Sequence, residues 1–309
     1  MDEVVFLSSL LAAGIRLAAP IALAAIGETL SERAGVINVG IEGIMLVGAF
    51  VAVLFAVYTG SPWVGLLAAI VAGVAMSGVH AYFVVRLKTE QIVSGIALLF
   101  LGLGLSGYGY RLTLGEAGAA VKIPGFRELD ILGLADVPVI GPILFGQHAL
   151  VYLAVASAIA MAYMFRATRL GVIIKAVGET PVAADSAGIN VDRVRFLCVL
   201  VAGGFAGAGG AFLSTAHLWG FVENMTAGRG FLAIACVVFA RWNPVAAVLV
   251  ALVFGIADAA QIRLQTIFPA VPYQFFVIAP YVVAIVSLAV GSRSSRMPAA
   301  LGIPFAKPR

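Results

Sequence analysis

Apolar runs of about twenty residues alternate with short polar links along most of this chain. The runs cover residues 4–26, 39–57, 63–85, 92–108, 148–165, 196–216, 244–260 and 273–290. A further apolar stretch, 218–240, is interrupted by the polar, glycine-flanked sequence ENMTAGRG. A helix rises about 1.5 Å per residue, so about 20 apolar residues cross the roughly 30 Å hydrocarbon layer of a bilayer. Backbone groups in lipid must be satisfied within each segment, which favours helices for runs of this length. The pattern therefore predicts an all-α, polytopic integral membrane bundle of about nine spans, one of them interrupted, forming a single domain over 1–309. Between the runs lie the links GETLSERAGVIN (27–38), the turn Gly60-Ser61-Pro62, and a junction marked by Arg86, Lys88 and Glu90. The longest polar excursion is 111–147, with Glu116, Glu128, Asp130 and Asp136. A thirty-residue charged island occupies 166–195, and a basic tail occupies 291–309.

Composition agrees with the pattern. The chain is 62% hydrophobic and only 11% charged, whereas soluble domains carry roughly 25% charged residues. The net charge of +4 lies mostly in the links and reads as a topology signal, not as a nucleic-acid footprint. With the N-terminus outside, 13 of the 19 bases fall in the cytosol, among them five in the island and four in the tail. That is the positive-inside bias of an inner-membrane protein with a cytosolic C-terminus and an external 111–147 loop. Asp2 and Glu3 open the sequence, so no basic leader region is read and no cleaved signal is expected. Cys198 and Cys236 sit in apolar runs and are expected to be buried thiols.

The island reads RATRLGVIIKAVGETPVAADSAGINVDRVR. Thr180 is a candidate N-cap, Pro181 suits the first helical position, and Gly188 supplies a left-handed stop. The result is a two-turn helix whose face carries Val182, Ala183 and Ala187, with Asp185 nearby. Such a face suits a partner's groove; a solvated loop with one incidental turn is the alternative.

Catalytic signatures are missing from the sequence. No lysine follows a glycine, so the phosphate-binding loop pattern is absent. His80, His148 and His217 are scattered without ligand spacing and read as hydrogen-bonded residues, so no metal and no cofactor are expected. Polar groups inside spans are costly in lipid and usually face a cavity or a neighbouring helix. On that ground the substrate-path candidates are Asn38, Glu42, Gln91, Ser94, Asn224 and Thr226. Asn38 and Glu42 are four apart, and capping with an ion pair to Arg33 is the favoured structural reading. The small-residue run AGGFAGAGGAFLS (202–214) reads as close helix packing. Trp63, Trp219 and Trp242 are placed like interfacial anchors. GET followed by AGVIN at 27–38 is echoed by GET and AGIN at 178–190, a pattern compatible with an internal repeat.

Three blocks carry a family resemblance: GETLSERAGVINVGIEGIMLVGAF (27–50), AVGETPVAADSAGINVDRVR (176–195) and TAGRGFLAIACVVFARWNPVAAVLVALVFGIADAAQIRLQ (226–265). Together they resemble the permease subunits of nucleoside and simple-sugar ABC importers, the nucleoside-type branch of the branched-chain amino acid and sugar permease superfamily. The resemblance implies a membrane subunit without enzymatic activity. It further implies a second, longer permease as heterodimer partner, two ATP-binding cassette subunits, and an extracytoplasmic substrate-binding protein. It makes 181–188 the coupling helix, with Glu179, Thr180, Pro181, Val182, Ala183, Asp185 and Gly188 as coupling residues. Nucleosides come first as substrate, then pentoses or other sugars, then relatives such as riboflavin. The competing readings are an ion-coupled transporter using Glu42, and a sensory subunit that transports nothing.

Overall fold

The computed structural model describes residues 3–115, 123–129, 133–134, 137, 139–268, 271–272, 274–275, 278, 282 and 297–307. Ten α-helices are present among them: α1 (Glu3–Arg33), α2 (Ile41–Thr59), α3 (Pro62–Ala81), α4 (Gln91–Thr113), α5 (Ala149–Ala167), α6 (Arg169–Glu179), α7 (Pro181–Ser186), α8 (Val191–Phe212), α9 (Arg229–Phe239) and α10 (Pro244–Ile267). π-Helical turns extend α3 to Arg86 and α8 to His217. Local sequence explains several of the starts. Pro62 and Pro244 occupy first helical turns, where the missing N–H costs nothing. Glu90, Asn190 and Asn243 accept hydrogen bonds from the first-turn amides of α4, α8 and α10.

Seven helices among the described residues are long and apolar enough to cross a membrane. They coincide with seven of the nine expected runs. The ninth run, 273–290, and the loop acids Glu116, Asp130 and Asp136 lie almost wholly or wholly outside the described residues. The interrupted run differs from a simple span. Its only helix, α9, has 11 residues, about 16 Å, too short to cross alone. Residues 218–228 are turns and irregular backbone.

α1 and α8 form the centre. α1 packs on α10, α8, α9 and α5, and α8 packs on α3, α1 and α2. One core cluster joins Ile21 of α1, Ile44 and Met45 of α2, Leu232 and Val237 of α9, and Phe254 of α10. A second joins Leu23, Leu66, Leu150 and Phe212 from α1, α3, α5 and α8. The small-residue run is packing, as expected. A Cβ on Gly207 would strike the Ala69 carbonyl of α3, and one on Gly210 would strike the Met45 carbonyl of α2. Only glycine allows backbones this close, and dispersion between them replaces the hydrophobic drive that lipid removes. α4 packs chiefly on α2 and leaves most of its surface exposed.

Candidate coupling surface and buried polar cluster

The island folds as three short pieces. α5 stops at Thr168, whose hydroxyl accepts from the Gly171 amide and so caps α6. Lys175 of α6 donates to the Phe165 carbonyl at the end of α5. Thr180 holds the N-cap position of α7, but its hydroxyl makes no capping bond; its carbonyl accepts from Ala184 N. α7 ends in a paired stop. Ile189 N donates to Ala184 O at 3.0 Å, and Gly188 N donates to Asp185 O at 2.9 Å, with Gly188 at φ +83°. This is the Schellman arrangement, and Ile189 packs against the apolar cluster that contains Ala184. Ala184 is buried against Val177 and Val191, while Val182, Ala183 and Ala187 are exposed. A helix held from one side by its neighbours thus presents its other side outward.

The second assembly surrounds the link between α1 and α2. The Asn38 amide donates to Glu28 Oε1 (2.8 Å), and Asn38 Oδ1 accepts from Gly40 N (3.0 Å). Gln91 Oε1 accepts from Ile37 N. The buried His80 ring lies between Ser94 Oγ (3.0 Å) and the Ile37 carbonyl (3.1 Å). Glu42 reaches across to the interrupted segment. Its Oε1 accepts from the Thr226 hydroxyl (2.6 Å) and Gly228 N (2.7 Å), and its Oε2 accepts from Gly230 N (2.6 Å). A carboxylate therefore sits on the N-terminus of α9, where unpaired amides and the helix dipole favour an anion. Met45, one turn along from Glu42, packs on Gly210, and the adjacent Gly209 packs on Pro20 midway along α1. Glu42 lies inside the bundle, not at its rim.

These contacts also trace the interrupted segment. Glu223 pairs with Arg111 near the far end of α4 (2.6 Å). Thr226 meets Glu42 inside the bundle, and Trp242 Nε1 donates to Glu32 near the end of α1. The chain passes from one end of the bundle to the other as irregular backbone followed by a half-helix. Irregular backbone at such depth is tolerated where protein groups satisfy it.

The family model for the permease component of branched-chain amino acid transport systems matches residues 10–290. The chain belongs to this family. Over 317 aligned residues, 99% of either chain, the permease is 38% identical to the guanosine ABC transporter permease protein NupQ of Bacillus subtilis. It is 35% identical to the nucleoside ABC transporter permease protein NupC of Lactococcus lactis, over 93% of both chains. It is 40% identical to the putative glucose ABC transporter permease protein TsgC13 of Haloferax volcanii, over 85% of this chain and 79% of that one. The permease is a multi-pass membrane component of an ABC transporter and is not itself an enzyme, ATP hydrolysis residing on separate subunits.

Measured against the sequence reading, the permease differs at several residues. Glu42 makes no ion pair with Arg33. Arg33 Nε donates instead to the Trp242 carbonyl (3.0 Å), because Glu42 points into the bundle towards three donors of the interrupted segment. Asn38 precedes α2 in the link and does not share a helical face with Glu42. Trp242 is buried with its N–H on Glu32, so it is a packing residue and not an interfacial anchor. Asn224 is exposed with φ +59° and stands apart from the buried cluster that holds Thr226. Gln91 and Ser94 join that cluster through Ile37 and His80, and Ser94 also borders a cavity of about 380 Å³ with Thr89, Val93 and Leu98. Glu28, Glu32 and Arg195 were missed as buried polar residues. The four-residue spacing of Glu28 and Glu32, in line with the apolar face of α1, was the available signal.

Proposed function

We propose that this permease forms one half of the translocation pathway of an ATP-driven importer for nucleosides. The observation that carries the reading is the outward face of α7, fixed by its Schellman stop and by the buried Ala184. A small rigid helix of this kind can be seized by an ATP-binding subunit and displaced as a unit. Glu179, Thr180, Pro181, Val182, Ala183, Asp185 and Gly188 are its working residues. Nucleosides are favoured over sugars because relatives matching nearly the full chain are named for guanosine and nucleosides. Sugars are the second reading, supported by the Haloferax relative named for glucose.

The other half of the pathway is a second permease. Lactococcus lactis has, beside NupC, a nucleoside permease NupB that is 33% identical to this chain over 105 residues, which supports a pair of unequal subunits. ATP-binding cassette subunits and an extracytoplasmic binding protein complete the system. The N-terminus lies outside and the C-terminus in the cytosol, which puts α7 on the side of ATP. Asn38, Glu42, Gln91, Ser94 and Thr226 border the path, and Asn224 lies at its outer approach. Closure of the ATP-binding subunits moves α7, and the bundles of the two permeases rock to expose a central site to alternate faces. An ion-coupled mechanism would need a carboxylate open to the ion, whereas both Glu42 oxygens already accept from protein donors.

The test is uptake of radiolabelled guanosine by proteoliposomes holding the full complex, with glucose and ribose as competitors. ATP-dependent guanosine uptake that ionophores leave intact is the expected result. Uptake that is driven by an ion gradient without ATP, or that takes glucose and refuses guanosine, would overturn the nucleoside importer.

A further inference from the structure

Residues 297–307 belong to the basic tail read over 291–309, yet they fold back as a strap with buried apolar residues. Pro298, Ala300, Leu301 and Phe305 are buried. The strap touches two separate parts of the bundle. On the island side, Ala300 N donates to the Gly178 carbonyl (2.9 Å), Ala299 N donates to Glu179 Oε2 (3.3 Å), and Lys307 pairs with Asp185 of α7 (3.3 Å). Phe305 packs among Val177, Ala184 and Val191, on the inner side of α7. On the other side, Gly302 N donates to the Gly35 carbonyl in the link between α1 and α2 (3.3 Å).

Arg195 ties these parts together. The residue is 2% exposed. Nε donates to Ala34 O (3.1 Å) in the link, and Nη1 and Nη2 donate to Ile303 O (2.8 Å) and Ala300 O (3.4 Å) in the strap. A planar guanidinium with five donors can serve three carbonyls in fixed directions, which a single ammonium does not reproduce. The link that Arg195 grips continues directly into Asn38 and Glu42, and Glu42 holds the start of α9.

We propose that Arg195 and the strap are the positioning device that carries displacement of α7 to the α1–α2 link, and through Glu42 to the interrupted segment. The inference rests on the reading of α7 as the ATPase dock. It adds that docking alone does not suffice: without the strap, α7 moves while the link stays behind. Phe305 transmits push through apolar contact, and Arg195 keeps the strap and link in register.

Three variants of the full complex test it: Arg195→Gln, Phe305→Ala, and removal of residues 297–309. ATPase co-purification, ATP hydrolysis and guanosine uptake are measured together in proteoliposomes. In each variant the ATPase stays bound and hydrolyses ATP, while guanosine moved per ATP falls at least about tenfold, a loss equal to one factor of ten in coupling. Arg195→Lys, which keeps a buried cation with several donors, recovers part of the loss. Normal transport per ATP in Arg195→Gln and Phe305→Ala overturns the proposal. So does loss of the ATPase from these variants, since the strap would then belong to the dock. Absence of ATP-driven guanosine uptake in the unaltered complex would count against the reading of function, not against the strap.

Discussion

Gly188 shows how much one backbone conformation can carry. It closes α7 at φ +83°, and a Cβ placed there would meet no atom within 4 Å. A substitution at this position is therefore resisted by backbone preference and not by crowding. Gly188→Val should strain the stop by about 1–2 kcal/mol, the usual penalty of a left-handed L-residue. Gly188→Asn should be well tolerated, since asparagine visits this region readily. The pair separates conformation from size: co-purification of the ATP-binding subunit should fall for valine and persist for asparagine. Equal loss in both would mean that the site senses volume. Gly188 and Pro181 were legible in the sequence because helix stops and starts use local chemistry. The partners of Glu42 were not, because Thr226, Gly228 and Gly230 lie more than 180 positions away. Only the fold brings them together, and proximity in sequence had suggested Arg33 instead.

At the scale of elements, the interrupted segment is the feature that spans the function. The sequence signal was a polar, glycine-flanked break in an apolar run, and that break is real. Its length was misleading, because hydropathy averages an irregular stretch and an 11-residue half-helix into one apparent span. Glu42 is the cap that makes the half-helix possible. Glu42→Ala would leave two amides and a hydroxyl unpaired inside the bundle, a cost on the order of 3 kcal/mol. It should lower the thermal midpoint of the detergent-solubilised permease clearly, and Glu42→Gln, which keeps one accepting oxygen, should lower it less. Thr226→Val should reduce transport while the permease still assembles, whereas Asn224→Gly, at an exposed left-handed position, should stay within about twofold of the parent. An unchanged midpoint in Glu42→Ala would show that α9 needs no cap.

On the scale of the whole molecule, the permease has its most buried helices, α1 and α8, at the centre, with the short helices α6 and α7 packed on α8 and the half-helix α9 packed on α1, α2 and α10. The bundle class and seven of its spans were readable from hydropathy because lipid forces helices and apolar surfaces together. The folded strap was unreadable: its few buried apolar residues are too short a pattern to stand out beside its lysine and prolines. The orientation we propose rests on charge, with α7, the strap and Arg33 at the basic end. Single cysteines at Ser186 and Val222, both exposed, should react differently with an impermeant thiol reagent in intact cells. Position 222 should be labelled and 186 protected; labelling at 186 alone would invert the molecule.

The central claim is that α7 passes the ATPase cycle to this bundle, and Ala183 is the residue at which to ask. Ala183 is exposed on the outward face, and its Cβ side is expected to be desolvated in the ATPase groove, where an added cation is poorly accommodated. Ala183→Arg changes no contact of the buried core, so the permease should fold and insert normally. The decisive measurement is ATPase co-purification with this variant, together with substrate-stimulated ATP hydrolysis in reconstituted membranes. Loss of the ATPase, or its retention with hydrolysis no longer stimulated, is the expected result. A variant that keeps the ATPase bound and hydrolysis fully coupled would show that α7 is not the coupling element.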